Sequence, residues 1–195
     1  MEYPAKIKSI QQVNVVARIN GILEKKNFKE GTFVREGQIL YQIDSTRYKA
    51  SMQEAQADVE MKTAILKQAK REWERVKILF EQDSTSQKDR DSALSAYETA
   101  QASLKASQAN LKKAQIDLGY TKVKAPISGF TSLNKQDLGS YVGSTNESMI
   151  LTTITQTNPI YVEFSLPDIE FLKKRFIIND GNWNNISQTK LQVSI

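Results

Sequence analysis

The sequence predicts an elongated α+β chain: a small β-unit split into two halves by an inserted antiparallel α-helical coiled-coil hairpin. Two observations predict it. A short motif occurs twice, Ala17-Arg18-Ile19-Asn20-Gly21 being echoed by Ala125-Pro126-Ile127-Ser128-Gly129, and from Ser45 to Leu118 between the copies neither glycine nor proline occurs. The echo extends further, since Gly31-Thr32-Phe33-Val34 matches Gly139-Ser140-Tyr141-Val142 and Ile39-Leu40-Tyr41-Gln42-Ile43 matches Ile150-Leu151-Thr152-Thr153-Ile154. Strand-type halves that each bury one apolar face have to meet across the insertion. The inserted segment therefore leaves and returns to nearly the same place, as a projecting hairpin.

Residues 1–12 carry an N-terminal strand signal, Lys6-Ile7-Lys8-Ser9-Ile10. Residues 13–44 form the first half, short strands punctuated by Gly21, Gly31 and Gly37. These glycines, with Gly129 and Gly139, are expected at turns with positive φ or at close strand approaches. Asp44-Ser45 supplies an N-cap, and the Ala, Gln, Lys, Glu and Leu that follow favour helix at almost every position.

The insertion, residues 45–118, carries two heptad seams. Met52, Ala55, Val59, Lys62, Leu66, Ala69, Trp73, Val76 and Phe80 follow alternating steps of three and four, with Lys62 the one break in the apolar stripe. Ala93, Tyr97, Ala100, Leu104, Ser107, Leu111, Ala114 and Leu118 repeat the stepping in the second arm. Around residues 80–89 polar turn-formers replace the pattern, and Ser86 with Asp89 resembles a capping box. The first helix is expected to end near Gln82 and the second to start near Gln87, each arm reaching roughly 50 Å at 1.5 Å per residue. So short a loop makes the arms antiparallel. Trp73, on the seam, reads as a packing layer.

Residues 119–155 form the second half, with Pro126 keeping Ala125 extended. In 156–195, residues 160–166 alternate as a strand, 169–176 follow Pro167-Asp168 as a short helix, and 191–195 alternate again. The chain stops inside that last pattern. Either it is truncated, or the N-terminal strand closes this second β-unit; we expect truncation, with the N-terminal strand also contributing.

Composition removes several functions. The chain has no Cys and no His, which excludes disulfides, thiolate sites and the usual general base and zinc ligand. Glu24, Glu30, Glu36 and Asp44 are scattered as solvated faces rather than as an acid pair or a metal site. The formal charge is +5, with 27 Lys and Arg interleaved among 22 Asp and Glu, unlike a nucleic-acid stripe. Lys173-Lys174-Arg175 is too short to mark a membrane surface. No run reaches the roughly 18 apolar residues of a membrane span.

Three motifs carry a family resemblance. They are Val15-Val16-Ala17-Arg18-Ile19-Asn20-Gly21-Ile22-Leu23, the series Phe28-Lys29-Glu30-Gly31, Val34, Gly37, Leu40, Ile43-Asp44, and the series Tyr120-Thr121, Val123, Ala125-Pro126-Ile127, Gly129. Together these resemble the membrane fusion proteins, or periplasmic adaptors, of tripartite efflux pumps, HlyD-type, in the branch serving proton-driven RND multidrug exporters. The resemblance covers about residues 4–166. It implies a split lipoyl-like β-sandwich with the helical hairpin inserted, followed by part of a β-barrel domain in 156–195 to which residues 1–12 contribute. It further implies a non-catalytic adaptor, anchored at the inner membrane of a Gram-negative bacterium through parts not in this chain. Such an adaptor bridges an RND exporter to a TolC-like outer-membrane channel across the periplasm and self-associates into a ring.

Adaptors of this branch carry an Arg, a Leu four residues on and a Ser seven beyond that around the helical turn; Arg75, Leu79 and Ser86 stand at that spacing. The resemblance assigns them to docking on the channel. Leu79 lies off the seam, Arg75 one turn away on the same face, and Ser86 caps the return helix. Lipoyl and biotinyl domains expose a cofactor-bearing Lys in a tight hairpin. Here the insertion takes that place, and neither Lys49 nor Lys122 sits in such a hairpin, so no cofactor is expected. Two alternatives stay open: an adaptor of an ABC-type efflux or type I secretion system, and a lipoyl or biotinyl carrier subunit of an enzyme complex. An adaptor of metal efflux fits less well, because four scattered Met offer no soft-metal site.

Overall fold

The computed structural model describes residues 5–143 and 145–164. The helix expected at 169–176, the strand at 191–195, the basic cluster at 173–175 and the last residues of the strand at 160–166 lie outside the described residues. In order the elements are β1 (Ala5–Val16), β2 (Gly21–Lys26), β3 (Phe33–Val34), β4 (Ile39–Ile43), α1 (Thr46–Glu81), α2 (Gln87–Tyr120), β5 (Lys122–Lys124), β6 (Gly129–Thr131), β7 (Tyr141–Val142), α3 (Asn146–Met149) and β8 (Ile150–Phe164). Two compact units result. One is Gln12–Thr155, and the other includes described residues 5–11 and 156–164.

Two four-stranded sheets have the orders β1-β8-β6-β3 and β5-β4-β2-β7. Each sheet takes a strand from the other half of the repeat. β3 pairs antiparallel with β6, setting Val34 opposite Gly129, while β7 pairs with β2, setting Val142 opposite Gly21. The loops repeat the exchange: Gly31 N–H donates to the Thr131 carbonyl at 3.0 Å and Gly139 N–H to the Leu23 carbonyl at 2.8 Å. Two-residue strands such as β3 and β7 have no periodicity to betray them, so the sequence marks the matching motifs without showing the exchange.

Equivalent residues of the repeat fill the core. Val34 and Val142, Leu40 and Leu151, Ile43 and Ile154, and Ala17 and Ala125 are all buried. Tyr41 has no exposed surface; burial pushes its phenol pKa upward, and its hydroxyl donates to Asn134 Oδ1, with the Leu151 carbonyl oxygen also within reach at 3.3 Å. Among the described residues every buried side-chain N or O has a partner.

The motif glycines sit at close approaches. A Cβ on Gly129 would stand 2.5 Å from the Thr155 carbonyl oxygen, and one on Gly21 would stand 2.7 Å from Ile43 Cγ2. Gly31, Gly37 and Gly139 have φ of +71°, +79° and +88°. Gly143, which the repeat does not flag, combines a φ of +88° with a would-be Cβ 2.4 Å from the Ile19 carbonyl oxygen.

The arms root firmly in this β-unit. Tyr48, in the first turns of α1, donates from its hydroxyl to the Asn20 carbonyl at 2.7 Å, and the Arg18 guanidinium lies 5.2 Å from the Tyr120 ring centroid at the end of α2. The Ile43 N–H donates to the Thr121 carbonyl at 2.8 Å. Asp44, not Ser45, caps α1: its Oδ1 accepts from the Thr46 N–H at 2.9 Å, which lowers the Asp44 pKa.

The two helices, 36 and 34 residues long, pack as a hairpin. Between residues 49 and 81 the half-buried positions are the nine seam residues and Asp58. No residue of α1 is fully buried, whereas the small Ala93, Ala100 and Ser107 of the α2 seam are. Lys62 lies half-buried in the seam, a place a lysine can take by burying its aliphatic stem and keeping its charge in water. Among the described residues, no helix is long and apolar enough to cross a membrane.

Candidate functional site: the tip of the helical hairpin

The tip is built by closing one helix and capping the next. At the end of α1 the Gln82 N–H is shared between the Ile78 and Leu79 carbonyls, the Asp83 N–H donates to Phe80 and the Ser84 N–H donates to the Leu79 carbonyl at 2.8 Å. Asp83 takes φ +52°, the left-handed position that ends helices. Ser86 opens α2 from an extended conformation, its Oγ accepting from the Asp89 N–H at 3.2 Å and donating to Asp89 Oδ2 at 2.6 Å. That bond, with smaller help from the Ser86 backbone N–H and the Thr85 hydroxyl, lowers the Asp89 pKa. An ionised Asp89 in the first turn also complements the helix dipole.

Arg75 and Leu79 lie one turn apart on α1. Leu79 is 38% exposed, and the neighbouring Ile78, which the motif does not flag, is 54% exposed. Arg75 is exposed and pairs with Glu72, whose hydrogen bond raises the Arg75 pKa. Such an exposed pair holds its partners only weakly, so the guanidinium can be shared with an incoming acceptor. Ser86 stands across the turn, tied to the end of α1 through the Ser84–Leu79 backbone bond.

A second residue absent from the motif completes the tip. The Arg90 guanidinium lies 4.7 Å from the Phe80 ring centroid and bonds Asp91 Oδ1 at 2.8 Å. Phe80 is the last seam layer of α1, and Arg90 stands three residues before Ala93, continuing the α2 seam toward the turn. Stepping the seam back past Ala93 would have found it, but an arginine breaks the apolar pattern by which seams are read.

The tip offers apolar and cationic surface on a closed turn. Elsewhere, Lys49 lies in the first turn of α1 and Lys122 in β5, both exposed. Among the described residues no three acidic side chains gather into a metal-holding cluster.

Comparison with known proteins places this geometry. A family model described as the RND MFP (membrane fusion protein) barrel-sandwich hybrid domain matches residues 11–154. The efflux pump periplasmic linker BepD of Brucella suis biovar 1 (strain 1330) is 42% identical over 169 residues, covering 87% of this chain and 43% of BepD. The membrane fusion protein MtrC of Neisseria gonorrhoeae is 38% identical over 181 residues, covering 93% of this chain and 44% of MtrC. The chain thus spans less than half the length of either relative. Among solved structures, a MacA-MexA chimera containing the Pseudomonas aeruginosa MexA α-hairpin domain aligns with a TM-score of 0.59 at 28% identity, covering 85% of this chain and 56% of the chimera.

Proposed function

Because the chain belongs to the RND membrane fusion protein family through its barrel-sandwich hybrid domain, we propose that it works as a periplasmic adaptor of a tripartite multidrug efflux pump. It bridges an inner-membrane RND exporter to a TolC-like outer-membrane channel and catalyses nothing itself. The observation that carries this reading is the pair of helices, 36 and 34 residues long, rooted in a two-sheet β-unit and closed by a capped turn with exposed Leu79 and Arg75. A rigid arm of roughly 50 Å gives reach. Its off-seam flanks leave surface for helix-on-helix docking.

In this reading residues 13–44 and 119–155 are the lipoyl-like halves, 45–118 the hairpin, and 1–12 with 156–195 part of a β-barrel domain facing the exporter. The grouping of residues 5–11 with 156–164 in one compact unit supports the last assignment. Gly21, Gly31, Gly37, Gly129 and Gly139 serve the β-unit's turns and crossings. The adaptor sits in the periplasm, held to the inner membrane, and several copies form a ring, since one thin hairpin cannot seal a conduit. Arg75, Leu79 and Ser86 dock the channel.

The test is Arg75→Asp in the full chain. Drug resistance and cross-linking of the tip to the channel should be lost, while circular dichroism and the melting transition stay unchanged. Undiminished cross-linking would remove Arg75 from the docking surface.

A further inference from the structure

β1 and β5 are counterparts in the repeat: Ala17, just after β1, matches Ala125, just after β5, and among the described residues each strand ends its sheet. At the opposite ends the halves cross over through β3 and β7. At the β1 and β5 ends the two sheets border a cavity of about 680 Å³, lined from both strands and from the last turns of α2. Pockets for small organic ligands run from about 300 to 1,000 Å³.

The lining divides by chemistry. The core residues Val15 and Val123 border the cavity, and Val16, 40% exposed, Ile116, 43% exposed, and the half-buried Tyr120 add apolar wall open to solvent. Arg18, Lys122 and Lys124 are the charged residues of the lining, which contains no Asp or Glu. Among the described residues none of the three has an ion-pair partner. The Arg18 guanidinium over the Tyr120 ring sets a cation beside an aromatic face. Lys122 and Lys124, two apart on β5, share one face of the strand. Three like charges without a counter-charge repel one another, and the apolar wall beside them stays wet. An apolar body carrying a negative charge relieves both.

We propose that this cavity is a binding site for an amphipathic organic anion, a hydrocarbon body of rings or chain bearing one sulfonate, sulfate or carboxylate group. The body lies against Val16, Ile116 and Tyr120, and the acidic group is taken by Arg18, Lys122 and Lys124. A neutral molecule of the same shape forfeits the charge, a cation is repelled, and a small polar anion such as phosphate gains no apolar contact. β5 is three residues long, too short an edge to hold an added peptide strand by backbone pairing, which favours a small anion over an acidic protein segment. The site lies at the root of the hairpin and draws on neither the tip nor the adaptor reading.

Two dyes with the same rings separate the contributions: 1-anilinonaphthalene-8-sulfonate carries a sulfonate and N-phenyl-1-naphthylamine does not. Titrated into the full chain and followed by fluorescence, the sulfonate should bind saturably and roughly tenfold more tightly than the neutral dye, and high salt should erase that advantage. Lys122→Glu/Lys124→Glu should abolish the advantage, whereas Lys67→Glu/Lys105→Glu, the same change of charge at exposed hairpin positions, should keep it. The chain has no cysteine, so Ile116→Cys reports occupancy directly. Saturation with the sulfonate should slow its alkylation by a maleimide severalfold and leave that of Ile65→Cys unchanged. Equal affinity for the two dyes, equal loss in the two charge variants, or an unchanged alkylation rate at Ile116→Cys overturns the proposal. So does Ile116→Cys already shielded before dye is added, the mark of a second copy or another protein seated on the cavity. None of these measurements needs an exporter or a channel, so the site stands or falls independently of the adaptor role.

Discussion

Val34 in the first half of the repeat lies opposite Gly129 in the second, and Val142 returns the relationship by lying opposite Gly21. Each half completes the other's sheet, so neither can close its core alone. The two glycines let the exchanged strands approach, but their neighbours differ. At Gly129 a Cβ meets backbone, the Thr155 carbonyl; at Gly21 it meets a side-chain methyl, Ile43 Cγ2. Backbone in a paired strand yields less than a side chain. Gly129→Ala is therefore expected to cost about 3 kcal/mol or more and Gly21→Ala about 1–2 kcal/mol, read from urea unfolding midpoints. Gly119, near the end of α2 with nothing within 4 Å of its would-be Cβ, should gain about 0.5–1 kcal/mol as alanine. A Gly129→Ala variant as stable as Gly21→Ala would show that the β6–β8 pairing relaxes.

The seam contains a polar layer where an apolar one would serve. Ser107 is 4% exposed and bonded to the half-buried Asp58. Asp58→Ala leaves a buried hydroxyl without its acceptor and is expected to cost about 1–2 kcal/mol, whereas removing both groups as Asp58→Ala/Ser107→Ala should recover part of that loss. A double-mutant cycle on thermal unfolding gives the coupling. Strict additivity would mean that the bond contributes nothing to fixing the arms' register.

Much of the architecture was legible because helices advertise their buried face. Spacing alone selected the seam residues, and those positions are the less exposed ones in both arms. The β-unit was legible at the level of the repeat and not of the pairing. Only matching motifs reveal β3 and β7, and the register between Phe33 and Phe130 is a long-range fact no local pattern contains. Gly143 escaped notice because its counterpart in the first half is not a glycine. At the tip, the Ser86 cap follows from local chemistry, while the Phe80–Arg90 contact joins two helices across the turn. The Glu72 partner of Arg75 stands three residues away on the same helix, a spacing at which any exposed Arg and Glu can meet.

Arg90 over Phe80 ends the seam where the apolar layers run out, at 4.7 Å to the ring centroid. It should hold the last turn of α1 against the first turn of α2. Arg90→Ala is expected to cost about 0.5–1 kcal/mol and to speed amide exchange at residues 82–86 without affecting the hairpin base, whereas Arg90→Lys should retain part of the protection. Exchange rates at the tip that match the parent protein would leave Arg90 as an ordinary solvated charge.

The cap at Ser86 makes the tip sensitive to acid in a definite direction. The Ser86 hydroxyl holds the Asp89 carboxyl below its usual pKa. A depressed folded-state pKa stabilises the fold above the unfolded value, about 3.9 for aspartate, and that contribution is lost as pH falls through the lower folded value. The tip should therefore keep its cap throughout the neutral range and fray only in strong acid, first at the start of α2. Carbon-detected titration of the Asp89 carboxyl should place its midpoint below those of unpaired aspartates. Ser86→Ala should bring that midpoint back toward the ordinary range and accelerate exchange of the Asp89 amide at neutral pH, because the same hydroxyl that donates to the carboxylate accepts from that N–H. An Asp89 titration unchanged by Ser86→Ala would assign the depressed pKa to the helix N-terminus instead of the cap.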